Sequence, residues 1–166
     1  MRARGVSLWL VPEAGAGSRL AATIRELADE LASPTFPPHV TLLAGLGDEA
    51  AAVASRAASL AAGFAPLSLR LTRVSGSPRF FRCLFLEVEA HPALLELRRR
   101  ASAAVGLPPD PAFFPHLSLA YASLGAARRR ELVQRLRPLA PHSIQLTRLE
   151  AWRTEGEAGA WRRLDA

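Results

Sequence analysis

The chain contains no lysine and only one cysteine among its 166 residues, so its 21 basic side chains are all arginine. A single cysteine, Cys83, excludes an intramolecular disulfide and is compatible with a reducing compartment. Cys83 lies in an apolar stretch with no histidine beside it. We therefore predict a buried, unreactive thiol and not a nucleophile.

Long apolar runs are also missing. The first apolar segment ends at Pro12, which makes it too short for a signal-peptide core or a membrane span. We expect a cytoplasmic protein with no membrane partner. With 49% hydrophobic residues, the chain is long enough for one compact domain and too short for two ordinary ones. We expect one domain over residues 1–166, present as a monomer.

The formal net charge of +6 comes from an excess of arginine. Positive charge favours ligands that carry phosphate, and the guanidinium fork matches phosphate oxygens well. Coding bias is the alternative explanation for the arginine-only composition, since alanine, leucine, glycine and proline are also abundant.

One short pattern occurs twice, as Pro-His-Val-Thr-Leu and as Pro-His-Leu-Ser-Leu. Neighbouring side chains on a strand point to opposite faces. His39 therefore shares a face with Thr41, and His116 shares one with Ser118. Each strand presents one polar, potentially reactive face and one apolar face.

The segments around the two motifs follow the same order in each half of the chain: strand, helix, Pro-His strand, helix, strand. The two histidines are 77 residues apart, and the later Leu-Thr-Arg segments, at Leu71 and Leu146, are 75 apart. A repeat at nearly constant register indicates a duplicated unit. We predict strands at 6–11, 38–43, 67–74, 80–88, 114–121 and 143–152, a short one around Trp161, and helices at 18–31 (capped by Ser18), 48–63 (capped by Asp48), 91–105 and 125–137.

Pseudo-two-fold symmetry between the halves would bring the two histidine strands together across one cleft. A neutral imidazole there can take a proton from water while a protonated one gives a proton to a leaving oxygen. Thr41 and Ser118 can donate hydrogen bonds to phosphate oxygens. A metal site is disfavoured because each motif supplies a single ligand, and a serine nucleophile is disfavoured because no Gly-x-Ser-x-Gly turn is present. Chance recurrence in a leucine-rich chain is the remaining alternative.

In these motifs the chain resembles the 2H phosphoesterases, and within them the cyclic phosphodiesterase branch. The resemblance rests on residues 7–12, 37–43, 80–86 and 115–121. It implies an α+β fold with two lobes, built around the His39 and His116 strands, and with two mainly antiparallel sheets. It also implies these site residues: His39 and His116 as the catalytic pair, Thr41 and Ser118 as phosphate binders, and Tyr121 and Trp9 as pocket walls.

The implied activity is hydrolysis of nucleoside 2′,3′-cyclic phosphates and ADP-ribose 1″,2″-cyclic phosphate, with no metal and no cofactor. The partner is then a small cyclic phosphate nucleotide. An RNA-end 2′,3′-cyclic phosphodiesterase or a 2′,5′ RNA ligase-like enzyme, acting on RNA ends, is the alternative within the same fold. A module that binds such ends without turnover is the alternative of another class.

Strand alternation makes a different prediction for Tyr121, because five residues separate it from His116 and place it on the opposite face. Trp152 and Trp161 are predicted to pack in the interior. Arg79 and Arg82 flank a phenylalanine pair after a turn, where they either cover a nucleotide or lie on a solvated edge. The two remaining histidines, at 91 and 142, have no hydroxyl partner at the same spacing and are predicted to lie outside the site.

Overall fold

The structure is a computed structural model that describes residues 3–47, 50–108 and 110–164. Its strands are β1 (Val6–Pro12), β2 (Val40–Leu46), β3 (Leu67–Gly76), β4 (Leu84–Val88), β5 (His116–Ala120), β6 (His142–Arg153) and β7 (Arg162–Leu164). Its helices are α1 (Ala14–Leu31), α2 (Ala50–Ala62), α3 (Pro92–Ala104) and α4 (Ala126–Leu136). Short 3-10 turns occur at Phe80–Arg82, Arg137–Leu139 and Ala158–Ala160. None of the described helices combines the length and apolar character needed to cross a bilayer.

The strand pairings repeat between the two halves of the chain. The sheet order is β1-β2-β5-β4-β3-β6-β7, with an additional pairing between β1 and β6, and every pairing is antiparallel. The symmetry is seen when each strand of the first half is exchanged with its counterpart in the second: β1 with β4, β2 with β5 and β3 with β6. The β1–β2 pairing then becomes β4–β5, and the β3–β4 pairing becomes β6–β1. The β2–β5 and β3–β6 pairings map onto themselves. The fold is therefore a duplicated α+β unit with pseudo-two-fold symmetry, as the sequence predicts.

The expected two sheets are joined into one, which differs from the prediction. The long strand β6 pairs with β3 through His142–Leu146 and with β1 through Leu146–Arg153. A second junction is the pairing of Val40 with Leu117, between β2 and β5. Because β6, a strand of the second half, pairs with two strands of the first half, the hydrogen-bonded ladder continues from one half into the other.

Several element boundaries also differ from the prediction, and two of these differences have a clear local cause. Helix α1 begins at Ala14 and not at Ser18, because the Glu13 carboxylate accepts hydrogen bonds from the backbone N–H groups of Gly15 and Ala16 at 2.6 and 2.5 Å. Strand β4 begins at Leu84, because the preceding phenylalanines lie in a 3-10 turn. The predicted cap at position 48 lies outside the described residues.

Alternation along the central strands separates a helix-covered face from a polar face. Leu8 and Leu10 of β1, Leu42 of β2, and Leu117 and Leu119 of β5 are fully buried in the main hydrophobic core. The intervening side chains point the other way. They include Trp9, Thr41, Phe85 and Ser118, so the fold gathers both histidine motifs on one surface.

Candidate active site

All six predicted site residues line a single cavity of about 390 Å³ on this polar face. They are Trp9, His39, Thr41, His116, Ser118 and Tyr121. His39 immediately precedes β2, and His116 is the first residue of β5. The pairing between β2 and β5 brings the starts of these strands together, so residues 77 positions apart in sequence contribute to one cavity.

Both imidazoles are held in the same way. Nδ1 of His39 lies 2.7 Å from the carbonyl oxygen of Pro37, and Nδ1 of His116 lies 2.8 Å from that of Phe114. A carbonyl oxygen can only accept a hydrogen bond, so Nδ1 carries the proton in each ring. Nε2 of each neutral imidazole is therefore left as the nitrogen that can accept a proton.

His39 is the more buried of the pair. Its ring stacks on Trp9 with centroids 3.5 Å apart and planes 8° apart, and Trp152 also stacks on Trp9 at 4.5 Å. Burial, with a smaller contribution from the nearby His116 charge, lowers the pKa of His39 from 6.5 to about 4. The free protein therefore holds His39 neutral at physiological pH.

His116 occupies the equivalent position in the second repeat but is more open to solvent. Phe85 contacts its ring edge to face at 5.5 Å and corresponds to Trp9: Trp9 pairs with Thr41, and Phe85 pairs with Ser118. Burial lowers the pKa of His116, and the positive charge of Arg82 adds to the effect. The duplication thus includes an aromatic neighbour for each histidine.

The two motif hydroxyls differ in their hydrogen bonds. Ser118 is buried and donates to the carbonyl oxygen of Phe81 at 3.1 Å. Thr41 is half-buried, and within the described ranges its hydroxyl has no hydrogen-bond partner. Thr41 is therefore free to donate to a ligand at once, whereas Ser118 has to give up its present acceptor.

Tyr121 lies in the cavity wall, contrary to strict alternation. Strand β5 ends at Ala120, so the two-residue period no longer fixes the direction of the next side chain. The Tyr121 ring stacks on Phe36 at 3.8 Å and meets Phe81 edge to face at 5.3 Å. Burial raises the pKa of Tyr121, which keeps its hydroxyl protonated at neutral pH.

Several residues of the cavity wall were not predicted from the sequence. Trp161, predicted to be a packing residue, lines the cavity, and so does Phe81. Ser7 and Thr154 also line it, and their hydroxyls are joined by a buried 2.8 Å hydrogen bond. The phenylalanine pair after a Gly-Ser-Pro turn was a usable signal for Phe81. No local pattern links Ser7 to a residue 147 positions later.

The remaining histidines and the cysteine lie outside the cavity. His91 caps α3, accepting from the N–H of Ala93, and His142 begins β6 beside a separate depression. The Cys83 thiol is buried and donates to the carbonyl oxygen of Ala120 at 3.1 Å, and burial raises its pKa. The prediction of a buried thiol is confirmed.

Across residues 3–47, 50–108 and 110–164, no group of three or more His, Cys, Asp or Glu side chains is placed to hold a metal ion.

A sequence model of the 2′-5′ RNA ligase superfamily matches residues 11–158. The chain belongs to this superfamily, the 2H phosphoesterases, which confirms the resemblance found in its motifs.

Individual relatives agree with this assignment. The chain is 27% identical over 158 residues to a cyclic phosphodiesterase of Arabidopsis thaliana, covering 91% of this chain and 86% of the relative. The structure resembles that of apo LigT from E. coli with a TM-score of 0.64 at 17% identity, covering 100% of this chain and 96% of LigT. It also resembles TT0787 of Thermus thermophilus with a TM-score of 0.57 at 18% identity, covering 99% and 96%. These structural similarities confirm the fold class.

Proposed function

We propose that the chain is a metal-independent cyclic phosphodiesterase that opens small cyclic phosphates to monoesters. Candidate substrates are nucleoside 2′,3′-cyclic phosphates and ADP-ribose 1″,2″-cyclic phosphate. The observation that carries the proposal is the pair of imidazoles in one cavity, each with Nδ1 bound to a backbone carbonyl and Nε2 left for proton transfer, together with the hydroxyls of Thr41 and Ser118. The name of the Arabidopsis relative points to the same activity.

The proposed reaction is an in-line displacement at phosphorus. One imidazole accepts a proton from water through Nε2 as the water oxygen bonds to phosphorus. The other, protonated on Nε2, gives its proton to the departing ribose oxygen as the bond between that oxygen and phosphorus breaks. For a 2′,3′-cyclic nucleotide, release of the 3′ oxygen leaves the phosphate on the 2′ oxygen. One imidazole gains a proton and the other loses one. After each turnover the two rings have therefore exchanged their protonation states.

Thr41 and Ser118 are proposed to stabilise the charge that grows on the non-bridging oxygens. Each hydroxyl shares a strand face with its histidine, so both lie where the phosphate must sit if it is to meet both rings. Trp9 and Tyr121 are proposed to shape the apolar wall of the cavity. Their faces stack on His39 and Phe36, so they offer a nucleobase or a ribose a ring edge.

Acid catalysis requires one imidazole to be protonated, although burial lowers the pKa of both rings in the free protein. A bound phosphate brings negative charge next to both rings, which raises their pKa values. Substrate binding therefore helps to create the protonated partner that the reaction needs.

The direct test is to incubate EDTA-treated protein with 2′,3′-cyclic AMP, ADP-ribose 1″,2″-cyclic phosphate and a short RNA with a cyclic end, and then to resolve the products. Turnover of the small substrates, with 2′-AMP as the nucleotide product, supports the proposal. Binding of all three without turnover would instead indicate a binding module.

The second candidate is an RNA-end 2′,3′-cyclic phosphodiesterase or a 2′,5′ RNA ligase-like enzyme. It is favoured by the superfamily model, which is named for RNA ligation and spans most of the chain. Processing of the RNA end in the same assay, with little turnover of the small substrates, would select this candidate.

A further inference from the structure

A second cavity, of about 500 Å³, adjoins the active-site cavity. It is lined by Pro78, Arg79, Phe80, Phe81, Arg82 and His116, and we call it the arginine groove. Phe81 and His116 also line the active-site cavity. One ligand can therefore occupy both spaces, with its reacting phosphate beside His116 and another part in the arginine groove.

The arginine groove carries two cationic side chains that no carboxylate neutralises. Within the described residues, neither Arg79 nor Arg82 forms an ion pair, whereas Arg98 and Arg128 on the helices pair with Asp110 and Glu30. A cavity with two uncompensated guanidinium groups attracts an anion.

Arg82 is also held in position. Its guanidinium lies over the rings of Phe85 and Phe114, 5.8 and 5.3 Å from their centroids. Its Nε is buried and lacks a hydrogen-bond partner among the described residues. A fixed guanidinium without a protein acceptor is suited to binding the oxygens of a phosphate.

We propose that the arginine groove binds a second phosphate group of the substrate, through Arg82 and Arg79, while the cyclic phosphate lies between His39 and His116. The proposal rests on the proposed function and deepens it: among the candidate substrates it favours those that carry a phosphate or diphosphate besides the cyclic one, as ADP-ribose 1″,2″-cyclic phosphate does, and it assigns that group to Arg79 and Arg82. Phe80 and Phe81 contribute an apolar surface for the part of the ligand between the two phosphates.

Such binding would also assist the reaction. The positive charge of Arg82 contributes to the lowered pKa of His116. A phosphate bound at Arg82 offsets that charge, so His116 takes up a proton more readily when the groove is occupied. Substrates with a second phosphate should therefore gain in turnover as well as in binding.

The experiment measures binding of two reaction products, 2′-AMP and adenosine 2′,5′-bisphosphate, by calorimetry. Binding of a product can be measured without any turnover, so this result does not depend on the proposed activity. We expect the unmodified protein to bind the bisphosphate at least about tenfold more tightly, since a charge-assisted phosphate contact contributes roughly that much. Arg82→Gln and Arg79→Gln should each reduce this preference severalfold. The matched control is Arg56→Gln on the exposed face of α2, which should leave it unchanged.

The kinetic counterpart compares kcat/KM for 2′,3′-cyclic AMP and for its 5′-phosphorylated form. The same preference, reduced by the same variants, is expected. Equal binding of the two products by the unmodified protein overturns the proposal, as does a preference that both arginine variants retain in full. Because Arg79 is exposed, its replacement tests the groove even if Arg82→Gln folds poorly. Absence of turnover with an intact, arginine-dependent binding preference would refute the proposed activity and leave the groove established.

Discussion

The two active-site imidazoles share a hydrogen-bonding arrangement but not an environment. Each donates from Nδ1 to a carbonyl two residues earlier, which fixes the tautomer and the ring orientation. His39 is about 4% exposed and packs against Trp9 and Phe36, whereas His116 lies at the border of two cavities. Identical local chemistry therefore gives two side chains that differ in how readily they become charged.

His39 should make the stability of the protein sensitive to acid. Its pKa is about 4 in the folded protein and near 6.5 in the unfolded chain, so the unfolded chain binds the proton more tightly. Stability is then full above pH 6.5, falls as the pH drops below that value, and stops falling below about pH 4. We expect His39 to account for a loss of about 2 kcal/mol in the free energy of unfolding between pH 7.5 and 5.

Urea denaturation at these two pH values checks this expectation, with His39→Gln as the comparison. The variant has a different absolute stability, but its loss between pH 7.5 and 5 should be smaller by about 2 kcal/mol. Equal losses in the two proteins would show that His39 titrates normally in the folded state.

The thiol of Cys83 should be inert in the folded protein. It is about 1% exposed, its hydrogen is engaged by a backbone carbonyl, and burial raises its pKa, so little thiolate forms. We expect a disulfide reagent to modify no thiol in native protein over a period in which denatured protein reacts fully. Rapid reaction of the native protein would contradict the buried placement.

At the scale of elements, residues just beyond the ends of strands form part of the wall of the candidate active site. Tyr121 follows the last residue of β5, and Phe81 lies in the turn before β4. Both rings enter the cavity because the chain has left regular strand geometry there. A two-residue period predicts side-chain direction only within a strand, so these positions were not predictable from the alternation pattern.

Close packing just before the start of β1 requires glycine at position 5. Gly5 has a φ of +74°, and a Cβ at this position would lie 2.1 Å from the carbonyl oxygen of Leu46. Gly45 has a similar φ of +70°, but a Cβ there would meet nothing within 4 Å. Substitutions at Gly5 and Gly45 therefore distinguish the cost of backbone strain from the cost of a steric clash.

We predict that Gly5→Ala destabilises the protein more than Gly45→Ala. Both variants incur about 1 kcal/mol for a left-handed alanine, and Gly5→Ala adds the displacement of the Leu46 backbone, roughly 2 kcal/mol more. Chemical denaturation measures the difference. Equal destabilisation by the two substitutions would mean that β1 and β2 can move apart at little cost.

At the scale of the whole molecule, the duplication explains why the candidate active site contains residues of both halves. Apart from the β6–β7 pairing, the pairing map is unchanged when the halves are exchanged, and the β2–β5 contact that joins the two histidine strands maps onto itself. Each half contributes a histidine, a hydroxyl and an aromatic neighbour. The arginine groove adjoins His116 and not His39, so the symmetry does not extend to this second cavity.

Much of this arrangement could be predicted from sequence. The motif pair indicated His39, Thr41, His116 and Ser118, and the repeated order indicated the symmetry that places them together. The continuity of the sheet could not be predicted, because it depends on how far β6 extends past β3 to pair with β1. The hydrogen bond between Ser7 and Thr154 could not be predicted either, since only tertiary pairing brings these hydroxyls together.

Removal of metal ions should leave the proposed activity unchanged. The proposed reaction assigns both proton transfers to imidazoles and charge stabilisation to hydroxyls. We expect protein dialysed against EDTA to keep its rate with 2′,3′-cyclic AMP to within about twofold, a difference of roughly 0.4 kcal/mol in activation free energy. A large loss of rate that a divalent cation restores would require a different mechanism.

The proposed reaction requires two imidazoles to act together on one phosphorus atom, and a double-mutant cycle on hydrolysis of 2′,3′-cyclic AMP measures whether they do. We predict that His39→Ala and His116→Ala each lower kcat by about 10²–10⁴-fold, and that the double variant loses little more than either single variant, because the pair works as a unit. His142→Ala, outside the cavity, is the matched control and should retain full activity. A near-normal rate in either single variant, or losses that simply multiply in the double variant, would contradict the account.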